Sequence, residues 1–333
     1  MLIRLLVATA ALVIAQAVAA ANPIIIKFSH VVALDTPKGK AAEMFKKLAE
    51  ERTDGRVKVD VYPNSSLYKD KEELEALQIG AVQMLAPSTA KFGPLGVKEF
   101  EALALPYIFD NYDEVHKVLQ GPIGDGLLKK LEIHGITGLA YWDSGFKQFT
   151  GNRVMKKPED LKGMKIRIQS SKVLEAQMRS LGVMPQVMAF SELYSALQTG
   201  VIDGDEQSMP NIWTQKFYEV EKNMTVTDHG YNGYAVITNK KFWDGLPSDI
   251  RDILDGAMKD TTRFANEIAR KDNETALEML KKSGRMNVII LTPQERMVWK
   301  HAMVKVHRDM ESRVGKDILQ SIYKETGFDP SKL

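Results

Sequence analysis

Arg167 stands inside Met164-Lys165-Ile166-Arg167-Ile168, a run that otherwise has the composition of a strand buried in a parallel sheet. A guanidinium does not lose its charge by titration, and burying it alone is costly, so the position demands an acidic partner. An acid of the chain itself, such as Glu206, is one such partner. Asp203 and Glu206 could also serve acid-base chemistry, but no third group completes a recognisable catalytic set, and hinge hydrogen bonds explain them better. His30, His116, His134, His229, His301 and His307 show no His-x-x-x-His spacing, and no serine lies in a Gly-x-Ser-x-Gly context. The chain has no cysteine, which removes thiol nucleophiles, cysteine metal sites and disulfides. With no metal, cofactor or catalytic set indicated beside it, a buried arginine that needs an acidic partner points toward a site.

The elements around Arg167 form a complete α/β unit. Ser170-Ser171 can cap a helix whose inward face is Val173, Leu174, Met178 and Leu181, and Gly182 stops it. Pro185 to Met188 reads as a second strand, and Phe190-Ser191 opens a short helix that Gly200 ends. Val201-Ile202-Asp203-Gly204 then starts a third strand. Strands alternating with helices imply a parallel sheet, with ligands at the carboxyl ends of its strands.

The same unit occurs earlier. Ile24 to Phe28 is a strand, a helix runs from about Lys38 to Arg52, and Val57, Val59 and Val61 alternate as a half-buried strand. Asp70-Lys71-Glu72-Glu73 caps a helix ending in Ala76-Leu77-Gln78-Ile79-Gly80-Ala81-Val82-Gln83, which echoes Ala196-Leu197-Gln198-Thr199-Gly200-Val201-Ile202-Asp203. Two similar lobes predict a cleft that could enclose a small molecule; two domains that merely share a common unit are the alternative.

Arg4, the apolar run Leu5 to Val18 and the small residues Ala17 to Ala21 have the pattern of a cleaved secretory signal peptide over residues 1–21. Its removal takes one arginine and leaves a formal charge of about +1, which suggests neither nucleic acid nor an anionic membrane surface as a partner. No later stretch approaches the roughly 20 apolar residues of a transmembrane helix, so the mature chain is expected to be soluble. From Ser248 apolar positions keep a helical period for about 35 residues, roughly 50 Å, which predicts a helix lying across both lobes with a bend near Gly256. Thr292-Pro293-Gln294-Glu295 is a capping box that launches the last helices.

Taken together, Ile26-Lys27-Phe28-Ser29-His30-Val31, Thr36-Pro37-Lys38-Gly39, Ala86-Pro87-Ser88, Lys91-Phe92-Gly93-Pro94-Leu95, Gly145-Phe146-Lys147-Gln148 and the run from Ser170 to Tyr218 resemble the extracytoplasmic solute-binding proteins of TRAP transporters, within them the C4-dicarboxylate-binding subgroup. The resemblance spans nearly the whole mature chain. It implies an α/β, two-lobed periplasmic binding protein with a hinge cleft and a long helix spanning both lobes. Residues 22–146 and 235–265 would form the first lobe, and 147–234 and 266–333 the second. The protein would capture a small organic anion, a C4-dicarboxylate or related 2-hydroxy or 2-keto acid, and deliver it to small and large TRAP membrane subunits. A ligand-presenting sensor partner and a secreted hydrolase are the alternatives.

By the same resemblance, Arg167 grips a ligand carboxylate and Lys147 is a second cationic group, although by the residues alone Lys147 reads as an exposed lysine in the loop after a Gly138–Trp142 strand. Lys38, Ser88 and Lys91 match positions at the strand ends of the first lobe, with Lys38 the candidate for a distal carboxylate and Lys91 a possible support for other groups. Phe190 matches an aromatic against the ligand, or else is core. Ser170 sits at a helix start whose N–H groups favour anions. Gln207 stands where the family usually has Asn, and Asn232 where the subgroup has an apolar residue; both changes would make the pocket shorter and more polar, unless Gln207 turns aside and Asn232 faces solvent.

Overall fold

The structure, a computed structural model, describes residues 22–333, so the expected signal peptide of residues 1–21 lies outside the described residues. Ten strands follow in chain order: β1 (Ile24–Ser29), β2 (Val57–Tyr62), β3 (Met84–Leu85), β4 (Ile136–Gly151), β5 (Lys165–Ile168), β6 (Met184–Val187), β7 (Gly204–Ser208), β8 (Asn223–Val226), β9 (Tyr231–Asn239) and β10 (Asn287–Ile290). Their main order is β2-β1-β3-β9-β4-β7-β5-β6, which reads the same from either end: β1 is flanked in parallel by β2 and β3, as β5 is by β6 and β7. The expected parallel units are therefore present. Each meets the centre through an antiparallel neighbour, β9 for β3 and β4 for β7.

The echo seen in the sequence extends to individual hydrogen bonds. Helices Glu73–Gln78 and Leu193–Gln198 both end in a left-handed glycine, Gly80 at φ 79° and Gly200 at φ 71°. The next N–H returns to the same place in each helix, Ala81 to the Ala76 carbonyl and Val201 to the Ala196 carbonyl, both at 2.9 Å. Gln83 and Asp203 then hold the first strand of their own unit in the same way. The Gln83 side chain accepts from the Lys27 N–H at 3.0 Å and its N–H donates to the Lys27 carbonyl at 3.2 Å; Asp203 does both with Lys165 at 2.8 Å.

Two boundaries differ from the sequence reading. The third strand begins at Gly204, because the N–H groups of Val201 and Ile202 are spent on closing the helix. Helix Glu73–Gln78 has no side-chain cap at Glu72, and Asp70 turns away to other partners.

β4 changes sheets along its length. Residues from Ile136 to Phe146 pair with β9, whereas Lys147 to Gly151 pair with β7, and Phe149 to Gly151 also with β8. Register breaks separate Gly138 from Ala140 and Asp143 from Gly145. The predicted long helix is Ser248–Ser283, 36 residues running without interruption through Gly256, about 54 Å at roughly 1.5 Å per residue. It is tied to the switch in β4 by one polar stripe. Thr262 accepts from the Trp142 indole at 3.0 Å, Asn266 accepts from the Asp143 N–H at 2.9 Å, and Asn273 donates to the Ser144 carbonyl at 2.7 Å.

One apolar cluster packs β1, β2 and helix Pro37–Arg52 against the first part of the long helix, and another packs Leu193, Ile212 and Met224 against its end at Ala276 and Leu280. A third runs through both halves. In it the last helices, launched by the capping box at Thr292 and Glu295, set Trp299 against Phe149 and Val306 and Val314 in one core with Phe100 and Ile166. His307 bonded to the Pro106 carbonyl at 2.7 Å and Arg313 bonded to Glu101 fasten these helices to the earlier part of the chain.

At Gly145 a side chain has no room: φ is +139°, and a Cβ would lie 2.3 Å from Asn273 Oδ1. Gly145→Ala should therefore lower unfolding stability by about 1–3 kcal/mol from the backbone conformation alone, and further from the clash. Adding Asn273→Ala should recover the clash but lose the bond to the Ser144 carbonyl, so Asn273→Ala alone serves as the reference for the double variant. Urea unfolding of the three variants checks this, and a loss below about 0.5 kcal/mol for Gly145→Ala is the contrary outcome.

Candidate functional site

Arg167 is only 1 % exposed, with Ile166 and Ile168 wholly buried beside it on β5. Alternation along the strand sends the guanidinium to the face opposite these two, where Nε donates to the Met188 carbonyl at 3.0 Å. Its terminal nitrogens lie 3.7 Å from Asp70 and 3.8 Å from Asp205, close enough for attraction but too far for hydrogen bonds. The acids that balance Arg167 are thus Asp70 and Asp205, not Glu206. Burial, countered by Arg167, raises the Asp205 carboxyl to about 7. Phe190 belongs to a core by its edge-on packing against Phe217, while its ring also lies 5.7 Å from the guanidinium carbon and lines the cavity.

The opposite wall comes from the first half of the chain. Lys38, in the opening turn of helix Pro37–Arg52, is 1 % exposed. Its ammonium donates to the Ala86 carbonyl at 3.0 Å and sits 3.7 Å above the Tyr234 ring. Burial, and then the charge of Lys91, lower its pKa to about 7. Lys91 is saturated by its own acids, Asp70 and Glu73, the latter at 3.1 Å. Burial opposes its charge, but Asp70 and Glu73 outweigh this and hold its pKa above the ordinary value. Asp70 also accepts from the Phe190 N–H. Despite burial, Lys91 and Arg167 keep this carboxyl at about 2. Asp70 is thus an ionised bridge between the first α/β unit and the second.

Ser88 caps a 3-10 turn over Thr89–Phe92, and its hydroxyl donates to Gln169 Oε1 at 3.0 Å, with Asn232 Oδ1 at 3.4 Å. Lys38, Ser88, Lys91, Arg167, Phe190, Gln207 and Asn232 all line one tight cavity of about 10 Å³, which shares Asp70, Lys91, Arg167 and Gln169 with a larger neighbour of about 200 Å³. Gln207 and Asn232 are each 2 % exposed, so neither faces solvent, and Gln207 accepts from Asn211 at 3.1 Å.

Two expected residues stand elsewhere. Lys147 is buried within β4, not on a loop, and does not line the central cavity. It donates to Glu206 Oε1 at 2.7 Å, while Glu206 Oε2 lies 2.9 Å from His229, whose ring stacks 4.0 Å from Phe149. Burial notwithstanding, Lys147 and His229 hold the Glu206 carboxyl down to about 2. Ser170 lines the outer cavity only, the cap of helix Lys172–Ser180 is Ser171, and the Lys172 N–H at that helix start already donates to Glu101 at 2.7 Å.

Sequence reasoning missed Asp70, Gln169, Asn211 and Tyr234, all of which line the central cavity. Asp70 lay in a charged stretch read as a helix cap, and the clue available was the need of buried Lys91 for an acid. Among the described residues no cluster of His, Asp or Glu is arranged to hold a metal ion, and no helix is long and apolar enough to cross a membrane.

Residues 28–313 match the family described as bacterial extracellular solute-binding protein, family 7. A C4-dicarboxylate-binding periplasmic protein, DctP of Rhodobacter capsulatus, is 58 % identical over 96 % of this chain and 97 % of its own length. Among solved structures, a TRAP periplasmic solute-binding protein of Shewanella oneidensis with bound succinate superposes with a TM-score of 0.89 at 39 % identity, over 91 % of this chain and 99 % of that one. One of Pseudomonas aeruginosa with bound L-malate gives 0.84 at 40 % identity, over 86 % and 100 %. These relatives are solute-binding proteins, not enzymes, and they share the two-lobed α/β architecture. Since the match takes in both α/β units, the crossing strands and most of the C-terminal helices, the chain belongs to family 7 of the bacterial extracellular solute-binding proteins.

Proposed function

We propose that this protein is a periplasmic carrier that closes on a C4-dicarboxylate, or a related 2-hydroxy or 2-keto acid, and delivers it to the small and large membrane subunits of a TRAP transporter. The observation that carries this reading is the setting of Arg167. Its Nε is fixed on Met188, while its terminal nitrogens border the cavity without a hydrogen bond to Asp70 or Asp205. A carboxylate placed there would receive the two parallel bonds that these acids are too distant to take. Lys38, in the opposite wall, suits a second carboxylate. The relatives that bind succinate or malate support the same class.

We assign residues 22–146 and 235–265 to the first lobe and 147–234 and 266–333 to the second, the chain crossing between them near residue 146, near 235 and within the long helix. The change of partner along β4 between Phe146 and Lys147 supports the first crossing. Lobe closure over the anion would bring Asp70 and Ser88 of the first lobe onto Phe190 and Gln169 of the second, and the closed surface is what the membrane subunits would recognise. Residues 1–21 would be removed on export to the periplasm.

A thermal-shift screen tests the reading: succinate, fumarate and malate should raise the melting temperature, since ligand at about 100 times its dissociation constant adds roughly 2.7 kcal/mol. A shift with a neutral sugar or a cationic amino acid, and none with any carboxylate, would overturn it. Arg167→Lys should weaken the best carboxylate at least about tenfold, or roughly 1.4 kcal/mol, and Lys172→Ala, on the surface, less than about twofold. Calorimetric affinities within about threefold of the parent for Arg167→Lys would refute the bidentate role.

Lys38 makes binding depend on pH. A carboxylate brought beside an ammonium lowered to about 7 raises its pKa again. At pH 8 the free protein has largely lost this proton and the complex regains it, so binding takes up a proton. Affinity should then fall as pH rises from about 7 to 9, by at most about tenfold per unit. Calorimetry at pH 8 in buffers of different ionisation enthalpy measures the uptake directly, and Lys38→Met should reduce it to the share that Asp205, raised to about 7 beside Arg167, contributes.

A further inference from the structure

The central cavity is rich in donors and poor in acceptors. Lys38 and Arg167 can donate, as an anion requires, whereas the one hydrogen of the Ser88 hydroxyl already goes mainly to Gln169. Asp70 already accepts from Lys91 and Phe190, and the Ser88 hydroxyl hydrogen is shared between the oxygens of Gln169 at 3.0 Å and Asn232 at 3.4 Å, the shorter bond going to Gln169. Gln207 Oε1 is taken by the Asn211 side-chain NH2. That bond fixes the Asn211 amide and leaves its own oxygen unanswered: Asn211 is 2 % exposed, lines the cavity, and its Oδ1 has no hydrogen-bond partner in the protein. Of the residues lining this cavity, Asn211 alone has a buried side-chain atom in that condition.

A buried acceptor without a donor is costly, and a ligand that leaves it so inherits the cost. A carboxylate offers only acceptors, and so does a keto oxygen. A hydroxyl offers a hydrogen. Resting on the carboxylate reading above, we propose that Asn211 is a specificity-determining residue whose buried, unpartnered oxygen selects hydroxylated acids over both their unsubstituted and their keto counterparts. This divides the 2-hydroxy from the 2-keto acids, which Gln207 and Asn232 alone do not.

The test is isothermal titration of the parent protein with succinate, with each enantiomer of malate and with oxaloacetate, which share one four-carbon dicarboxylate frame. One malate enantiomer should bind at least about tenfold more tightly than either other acid, because only it supplies the donor. In Asn211→Leu the preference for malate should drop below about threefold, with succinate holding or gaining affinity. Succinate binding as tightly as malate in the parent overturns the proposal while leaving the carboxylate reading standing, and so does an undiminished malate preference in Asn211→Leu. A preference for oxaloacetate overturns it as well, by showing that the amide presents its NH2. Should Asn211→Leu not fold, the ranking in the parent decides. Failure of all these acids to bind, in a protein shown to be folded, removes the carboxylate reading itself and the proposal with it.

Discussion

Three cations crowded into one nearly dry cleft, Lys38, Lys91 and Arg167, are the constraint on which the rest of the site depends. Each is relieved differently. Lys91 is saturated by Asp70 and Glu73, Lys38 gives up much of its charge near neutrality, and Arg167 keeps its charge with acids held just beyond bonding distance. The graded treatment matters because full pairing would leave nothing for a ligand, whereas no pairing would cost the fold several kcal/mol. Asp70 is the pivot of the balance, since one carboxylate serves Lys91, Arg167 and the Phe190 N–H together.

The parts of this arrangement that were legible in the sequence are those set by local pattern. An arginine in an apolar strand announced a site, the glycines at 80 and 200 ended their helices as left-handed residues, and the repeated Ala-Leu-Gln segment marked two matching units. Helix Ser248–Ser283 followed from periodicity alone. What escaped depends on long-range pairing. Asp70 is defined by a bond to a backbone group 120 residues away, which no run of neighbours discloses. Lys147 looked like a loop residue because Asp143-Ser144-Gly145 is polar and carries a glycine, yet these residues form a register break inside one long strand. Asn211 follows Met209-Pro210 at the start of a short helix, where an asparagine is unremarkable until Gln207 is seen to fix its amide.

The cluster of Lys147, Glu206 and His229 shows how a charge can belong to the framework rather than to the ligand. Glu206 stands on β7, Lys147 on β4, and His229 just ahead of β9, so the ionic pair and the histidine lock together strands that meet where β4 changes sheets. Its position next to Gln207 couples it to the cavity through the backbone of β7. Losing the charge of Lys147 would disturb binding through the placement of Gln207 and Asn211, not through a missing contact.

The pairing of β4 with β9 has a mechanical consequence. Their ladder runs from Ile136 opposite Asn239 to Phe146 opposite Tyr231; β4 then carries on to pair with β7, and β9 pairs along its other edge with β3. A joint made of a hydrogen-bonded ribbon is a flexure, not an axle. Most of this ladder lies inside the proposed first lobe, so motion between the lobes would bend the pair where β4 changes partner between Phe146 and Lys147, beside the register break at Gly145. Under the proposed closure, such a joint would have an elastic rest position and would guide both lobes back along one path, bringing Arg167 and Lys38 to the same separation each time.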